Sequence, residues 1–234
     1  NRKQDFWAVG GAWEISREGF MQKQHVLDFL KVKASVGVLG NQNTYGFDYP
    51  IYPALAQNVV AVFAGGIIYP AFTQNYLPSP DLKWETVLAK EVGIELEALD
   101  RRLHFEANYF DKKTRDLMTF IPPISGGLAE LKNVSDIKNS GFEFLAIWNQ
   151  QVTRDLKLSV SANLTTYKNK VLKLATEDFA LFGSRYSRTA IGQPIGSFYG
   201  YIVEGIYQSY ADKLASPINT EFVYGPGDLK YKDV

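Results

Sequence analysis

The chain has 234 residues, with 25 basic and 25 acidic side chains and no cysteine. The balanced charge provides no overall basic field, so nucleic acid is not expected as a partner. The absence of cysteine excludes disulfide scaffolds and every site that needs a thiolate. Aromatic residues make up 14% of the sequence, more than an average soluble domain needs to fill its core.

The first residues, NRKQDFWAVGG, lack the apolar stretch and the small-residue cleavage site of a signal peptide. We therefore expect the chain to begin inside a longer protein. The longest run without a charged or strongly polar side chain is Val59 to Phe72, and it is interrupted by Gly65, Gly66 and Pro70. Because this run is too short to cross a bilayer as a helix, membrane-spanning helices are excluded.

Alternation of apolar and polar side chains with a two-residue period recurs along the chain and predicts β-strands with two different faces. The segments are, in chain order, 7–15, 31–39, 91–98, 103–109, 142–149 and 156–165. The last segment is the most regular, because Val160 and Ala162 alternate with Ser159, Ser161 and Asn163.

The predicted connections between these strands alternate in length. Short turns are predicted at 99–102 and 150–155, and long segments at 40–83, 122–140 and 168–195. A connection of intermediate length, with a helical turn, is predicted at 16–30. Transmembrane barrels have short periplasmic turns and long extracellular loops, so this alternation favours a barrel over a soluble sandwich.

Aromatic residues near the predicted strand ends also favour a membrane barrel. Alternation alone fits equally well an antiparallel sheet in water whose apolar face covers a core. Rings with polar tips, however, suit a membrane interface. The residues concerned are Trp13, Trp84, Tyr109, Phe110, Trp148 and Tyr167.

Lys90 shares the apolar face of its strand with Val92 and Ile94. A lysine at the bilayer midplane costs about 2–4 kcal/mol, and this cost falls to about 0–1 kcal/mol near the interface. We therefore expect Lys90 to lie above the apolar band.

These patterns predict an all-β fold, namely an antiparallel transmembrane β-barrel segment with long extracellular loops. We expect about seven or eight strands, paired through hairpins and curved like a barrel wall. Val160 and Ala162 are expected to face lipid, and Ser159, Ser161 and Asn163 the barrel interior. Because its edge strands would leave backbone groups unpaired, the chain alone should aggregate or require detergent.

Few side chains suit catalysis or metal binding. His25 and His104 are the only histidines and lie in unrelated contexts, so neither an enzyme nor a cofactor is predicted. An acidic row at Glu91, Glu95 and Glu97 can bind cations, but such rows more often pair with lysines of a neighbouring strand or plug. No metal site is predicted.

The segment 40–83 carries the candidate ligand- or partner-binding residues, outside any predicted strand. Aromatic rings of this kind stack on sugars or pack against a partner protein. The alternative is that they pack among themselves as an ordered extracellular cap. The candidates are Tyr45, Tyr49, Tyr52, Phe63, Tyr69, Phe72 and Tyr76.

Seven stretches resemble the SusC/RagA family of TonB-dependent outer-membrane transporters in their order and spacing. They are LKVKASVGVLGNQN at 30–43, PSPDLKWET at 78–86, YFDKKTRDLM at 109–118, NVSDIKNSGFEF at 133–144, YKNKVLKL at 167–174, IGQPIGSFYGYIVEGIYQ at 191–208 and PGDLKYKDV at 226–234. The resemblance spans nearly the whole chain.

The resemblance implies a barrel of about 22 strands around an N-terminal plug that engages TonB. It also implies a SusD-like surface lipoprotein over the extracellular mouth. Residues 1–234 would be a partial barrel domain, without the plug and the final strands. The tail contains Asp228 and Asp233. In such proteins an acidic loop resembling a calcium site follows it, and the other oxygen ligands of that site would lie beyond Val234.

The implied function is barrel wall and extracellular loops of an importer of glycans or peptides in the outer membrane of a Gram-negative, Bacteroidetes-type cell. Its implied partners are the SusD-like lipoprotein, the TonB complex, outer-membrane lipid and an oligosaccharide or peptide substrate. Two alternatives remain open. The first is a passive porin or adhesin barrel, and the second is a soluble carbohydrate-binding β domain.

Overall fold

The computed structural model describes residues 3–42, 51–62, 65–66, 68–121, 127–175, 181–184, 186–216 and 224–232. The strands are β1 (Ala8–Glu14), β2 (Leu27–Asn41), β3 (Leu55–Val62), β4 (Ile68–Gln74), β5 (Glu85–Ala98), β6 (Leu103–Ile121), β7 (Glu130–Gln151), β8 (Lys157–Lys173), β9 (Leu181–Ser184), β10 (Ser187–Thr189), β11 (Ser197–Phe198), β12 (Val203–Ile206) and β13 (Leu229–Tyr231). A 3-10 helix spans Ile15–Arg17, and helix α1 spans Tyr210–Leu214.

The chain divides into two compact units. The first comprises Asn1–Ala180 with Ala190–Ile195, and the second comprises Leu181–Thr189 with Gly196–Val234. No described helix is long and apolar enough to cross a membrane.

The first unit is built on an antiparallel sheet with the strand order β1-β2-β5-β6-β7-β8. Each of the alternating segments predicted from the sequence contributes one of these strands. The described sheet therefore holds six strands, compared with about seven or eight predicted from hairpin pairing. The prediction of an all-β, antiparallel fold is confirmed.

The predicted short turns are confirmed at one end of this sheet. β5 ends at Ala98 and β6 begins at Leu103, and the helical turn between β1 and β2 is also present. Leu99, Asp100 and Arg101 adopt left-handed φ angles of 60°, 57° and 58°, which are costly for residues with a Cβ atom. The Asp28 carboxylate accepts a hydrogen bond from the Arg101 backbone N–H at 2.8 Å and so supports this turn.

All three predicted long segments contain strands. The prediction of a connection at 122–140 is wrong in its extent, because β7 already begins at Glu130. The predicted connection at 168–195 contains the end of β8 and the short strands β9 and β10. The segment 40–83, which was predicted to lack strands, contains the β3–β4 hairpin. Gly65 and Gly66 lie between these strands with φ angles of 89° and 77°, a backbone region that glycine enters without a Cβ penalty.

The register collects apolar side chains on one face of the sheet. One row across the strands runs Trp13, Val32, Ile94, Ala107, Phe144 and Leu164. The next row towards the short turns runs Leu30, Leu96, Phe105, Ala146 and Ala162. We call this surface the apolar face. The opposite surface, which we call the polar face, carries Ser159, Ser161 and Asn163, so the predicted separation of side chains on β8 is confirmed.

Lys90 lies where the apolar rows end. It is opposite Val36 on one side and Asp111 on the other, and Asp111 is opposite Ser140. The expectation that Lys90 lies above the apolar band of the bilayer stays a prediction. A lysine in this row can extend its charged end away from the band.

The interpretation of two aromatic residues as interface anchors is wrong. Phe110 and Tyr167 occupy one row with Glu91 and Gly141, on the polar face. Their positions near strand ends suggested an interface, but the two-residue period turns them towards the other side of the sheet. Trp13, Tyr109 and Trp148 do lie on the apolar face.

Most buried apolar side chains lie at the end of the sheet opposite the short turns. β6 and β7 extend there as a long hairpin, and the segment that precedes β5 packs against it. The fully buried side chains are Met118, Leu131 and Val171. We call this region the long-connection end.

The second unit contains the small sheets β9-β10-β11 and β12-β13. Helix α1 begins after Ser209, whose hydroxyl accepts a hydrogen bond from the Asp212 backbone N–H at 3.2 Å. Serine is a favourable residue at this position because it satisfies an otherwise unpaired N–H of the first turn.

Candidate functional site

The long-connection end is held together by Asn133 on β7. Its side-chain oxygen accepts a hydrogen bond from the Lys83 N–H at 2.7 Å, and its amide nitrogen donates to the Lys83 carbonyl at 2.9 Å. The same nitrogen donates to the Asp116 carbonyl at 2.6 Å. Asp116 has a left-handed φ of 55° and lies where the β6–β7 register shifts. One side chain thus connects three segments of the chain.

A buried carboxylate strengthens the same region. Glu85 is only 5% exposed, and its two oxygens accept hydrogen bonds from the Met118 N–H at 2.8 Å and the Asn41 side-chain amide at 2.7 Å. Met118 packs with Leu82 and Leu131 in a small apolar core. A buried charge is tolerated where hydrogen bonds satisfy its oxygens.

A further segment docks on the end of β8. The Val171 N–H donates to the Gln193 carbonyl at 2.9 Å, and the Gly192 N–H donates to the Val171 carbonyl at 2.8 Å. Asn169 accepts a hydrogen bond from the Ile195 N–H at 2.8 Å. Residues from the stretches at 30–43, 78–86, 109–118, 133–144 and 167–174, with the start of the stretch at 191–208, therefore build the scaffold of the long-connection end.

The candidate aromatic residues divide into three groups. Tyr45, Tyr49 and Phe63 lie outside the described residues. Tyr76 is 4% exposed, and its hydroxyl donates a hydrogen bond to the Tyr52 carbonyl at 3.1 Å, so it supports the backbone of this segment. The exposed candidates are Tyr52, Tyr69 and Phe72.

The β3–β4 hairpin presents an apolar surface that the sequence patterns missed. Val60 is opposite Pro70, and Val62 is opposite Ile68. Val60, Val62, Ile68 and Phe72 are each 62–65% exposed. We call these four residues the hairpin patch. Exposed apolar surface of this kind marks a contact with a partner, a ligand or another segment.

The polar face carries a network of ion pairs. Lys31 pairs with Glu95, and Lys112 Nζ lies 3.4 Å from Glu91 Oε1. The expectation that the acidic row meets lysines of neighbouring strands is therefore confirmed for these two glutamates. Glu97 lies 3.5 Å from Arg101 instead.

His104 joins this network through Glu106. Its Nε2 lies 3.1 Å from Glu106 Oε1, and Lys33 Nζ lies 3.6 Å from the other oxygen of that carboxylate. One ligand atom from each of Glu95, His104 and Glu106 fits within 4.8 Å, a spacing at which a metal ion can be held. Lys31 and Lys33 already neutralise the two carboxylates, so a cation would compete with both ion pairs.

A shallow hollow of about 400 Å³ lies on the polar face beside this network. Lys33, Glu91, Asn108 and Glu143 line it, and Gly93 is at its floor. A Cβ atom at Gly93 would meet the side chain of Asn108. The missing side chain therefore makes room for the polar groups that cross this position.

In the second unit, the acidic residues of the tail serve the local backbone. The Asp228 carboxylate accepts a hydrogen bond from the Gly225 N–H at 2.8 Å, and Asp233 lies outside the described residues. Asp212 accepts hydrogen bonds from Lys230 at 3.1 Å and from the Gln208 N–H at 3.2 Å. The hydrogen bond from Lys230, which has the larger effect, and the hydrogen bond from the Gln208 N–H hold the pKa of the Asp212 carboxyl below its ordinary value.

Comparisons with known proteins agree with this architecture. Residues 4–221 match the family described as TonB dependent receptor-like, beta-barrel. TonB-dependent receptor P26 of Formosa agariphila is 30% identical over 100% of this chain and 24% of its own length. TonB-dependent receptor SusC of Bacteroides thetaiotaomicron is 27% identical over 95% of this chain and 23% of its own length.

Solved structures show the same fold. The RagAB peptide importer in its closed-closed state superimposes with a TM-score of 0.74 at 21% identity, covering 98% of this chain and 25% of that chain. The RagAB peptide transporter gives a TM-score of 0.72 at 24% identity, covering 87% of this chain and 22% of that chain. The chain thus spans about a quarter of the length of these relatives.

The matches to the family and to SusC confirm the resemblance to SusC/RagA proteins. The two-faced antiparallel sheet agrees with this resemblance. The match to the family covers most of the sequence. The chain belongs to the TonB dependent receptor-like β-barrel family.

Proposed function

We propose that this chain forms barrel wall and long-connection loops of an energy-coupled outer-membrane importer. In this proposal it is one part of a longer protein whose plug engages the TonB complex. The observation that supports it most directly is the two-faced sheet, in which one apolar row crosses all six strands and ion pairs cover the other side. A wall between lipid and a polar lumen requires these two faces.

The sheet also suggests an orientation for the wall. Short turns connect β5 to β6 and β7 to β8, whereas β2 and β5 are separated by the β3–β4 hairpin. In outer-membrane barrels the short turns are periplasmic and the long connections extracellular. We therefore place the long-connection end on the cell surface.

The substrate class that we propose is a glycan or peptide, and the partner is a SusD-like surface lipoprotein. The relatives support this proposal, because they include the TonB-dependent receptor SusC and the RagAB peptide importer. The hairpin patch and the exposed Tyr52 and Tyr69 are the surface we propose for the lipoprotein or for substrate. Aromatic and branched apolar side chains supply much of the free energy at such contacts. We propose no catalytic role.

Uptake by the native bacterium tests the proposal. Deleting the gene should abolish growth on one oligosaccharide or peptide mixture as the sole nutrient, and the complete gene should restore it. Uptake is followed with a fluorescently labelled form of the same nutrient. A protonophore should stop this uptake within minutes, because TonB coupling depends on the proton gradient of the inner membrane. A passive porin or adhesin, the second candidate, predicts uptake that continues with the protonophore or no uptake at all.

A further inference from the structure

Basic side chains are concentrated on the apolar side of the sheet just beyond the last apolar row. The register places Lys90, Lys113, Arg115, Lys138, Lys168 and Lys170 there, on the four strands β5 to β8. We call these six residues the basic belt. The acidic residues among them are Asp111 and Asp136. Because the whole chain is electrically balanced, this local excess of positive charge results from its arrangement.

Internal ion pairs neutralise only part of the belt. Lys138 Nζ lies 2.5 Å from Asp111, and Lys113 Nζ lies 3.8 Å from Asp136. Within the described part of the chain, Lys90, Arg115, Lys168 and Lys170 form no ion pair and are exposed. Four cationic groups therefore remain available to anions from outside the chain.

The spacing of the belt suits several anionic groups side by side. Strands lie about 4.8 Å apart and residues on one face about 6.8 Å apart, so four strands and three rows cover roughly 14 by 14 Å. A field of this density attracts phosphate groups and is strongest at low ionic strength.

An apolar depression on β1 and β2 adjoins the belt at Lys90. It has a volume of about 620 Å³ and is lined by Val9, Gly11, Ala34 and Val36, with Lys90 at its rim. A Cβ atom at Gly11 would meet nothing within 4 Å, so the missing side chain leaves open space on the apolar face. A hydrocarbon chain can fill this depression. A protein partner that bound only through acidic side chains would leave it empty.

We propose that the basic belt binds the phosphate groups of an acylated lipid in the outer leaflet, with one acyl chain lying in the depression beside Lys90. The inference rests on the proposed membrane orientation, which places the belt at the extracellular boundary of the bilayer. Basic clusters that adjoin an apolar membrane surface bind anionic headgroups in this way. The lipid would fix the height of this part of the wall and cover its charge.

The test uses the complete transporter purified in a neutral detergent, with diphosphoryl lipid A as the probe and native mass spectrometry as the measurement. The variant combines Lys90→Gln, Lys168→Gln and Lys170→Gln. The control combines Lys23→Gln, Arg154→Gln and Lys157→Gln, which removes the same charge from exposed residues at the short-turn end. Unchanged heat-modifiable gel mobility shows that each variant has formed its barrel.

We expect the belt variant to bind lipid A at least tenfold more weakly, since each basic group near a membrane surface contributes roughly a fivefold change in affinity. The control variant should bind as the native protein does. Arginine at the same belt positions should retain binding because it retains the charge. Equal weakening by belt and control variants would overturn the proposal.

Two further measurements separate the possible sources of phosphate and the leaflets. Dephosphorylated lipid and inorganic phosphate alone should both bind weakly, and tight binding of either would contradict recognition of a phosphorylated lipid. A cysteine in place of Lys170 should react with a membrane-impermeant reagent on intact cells, and protection until the outer membrane is permeabilised would refute the outer-leaflet site. Energy-dependent nutrient uptake is measured separately, so failure of the native transporter to bind lipid A, with normal uptake, refutes only the proposed lipid site.

Discussion

The side-chain amide of Asn133 accepts a hydrogen bond from the Lys83 N–H at 2.7 Å and donates one to the Lys83 carbonyl at 2.9 Å. It thus satisfies both backbone groups of Lys83, as a paired strand would. This pair ties the segment before β5 to the extended β6–β7 hairpin. Because the residues are 50 positions apart in the sequence, the contact fixes a long connection at one point.

We predict that Asn133→Ala opens this connection. The substitution removes three hydrogen bonds, each worth about 0.5–1.5 kcal/mol net, from Asn133 to Lys83 and Asp116. Trypsin should then cleave after Lys83 much faster in the folded transporter. Asn149→Ala at the short-turn end is the matched control and should not change cleavage; equal rates for all three proteins would contradict the assigned role of Asn133.

Opposite effects are expected for arginine at neighbouring positions of β8. Val160 lies in one row with Trp148 on the apolar face, whereas Ser161 lies opposite Ile147 on the polar face. Arginine at Val160 should cost about 2–4 kcal/mol of barrel stability if this row meets the bilayer midplane. Arginine at Ser161 should be tolerated. Urea unfolding in lipid vesicles measures both.

The same faces can be mapped chemically in the complete protein. Single cysteines from Leu158 to Leu164 should react with a water-soluble thiol reagent at every second position, with Ser159, Ser161 and Asn163 reacting. Reaction at Val160 and Ala162 instead would mean that the faces are inverted. Protection of every position would indicate a strand buried on both sides, as in a soluble core.

Gly141 allows β7 and β8 to approach closely. A Cβ atom there would meet the backbone carbonyl oxygen of Thr166. This atom belongs to the paired strand and cannot move aside as the end of a flexible side chain can. Gly141→Ala should therefore destabilise the barrel by about 1–3 kcal/mol, the usual cost of overpacking. Gly11→Ala provides the comparison, because its Cβ would meet no neighbour within 4 Å. Similar unfolding midpoints for the two variants would disprove the close approach.

The second unit should be sensitive to acid through Asp212. Its lowered pKa results from the hydrogen bonds of Lys230 and the Gln208 N–H. A lowered pKa in the folded state means that the stabilisation is present above the ordinary aspartate pKa, about 4, and is lost as the pH falls through the lowered value. Carbon-13 NMR of labelled aspartate, assigned with Asp212→Asn, should show this midpoint below those of exposed aspartates. Lys230→Gln should raise it.

The sequence predicted the main strands because one face of each is apolar along its length, as at Leu158, Val160 and Ala162. The extensions of β6 and β7 were missed because charged residues such as Asp111 and Lys112 stand on both faces there. The β3–β4 hairpin was missed for the opposite reason. Its residues around Val60 and Ile68 are almost uniformly apolar, so no alternation marks the strands.

The candidate site was predictable only in part. Aromatic composition identified Tyr52, Tyr69 and Phe72, but it gave no means of separating them from Tyr76, which is buried and donates a hydrogen bond to the Tyr52 carbonyl. The hairpin patch and the basic belt both depend on register. Lys90 and Lys168 are far apart in sequence and share a row only because the intervening strands pair residue by residue.

The order of strands in the main sheet also affects how the wall forms. From β5 to β8 each strand pairs with the next one in the chain, so these contacts close short loops and can form one hairpin after another. β2, however, must find β5 across the whole insertion that contains β3 and β4. Closing that loop carries a larger entropic cost, and contacts between distant residues slow folding. The β2–β5 seam should therefore close last, after the β5–β8 hairpins have formed a template.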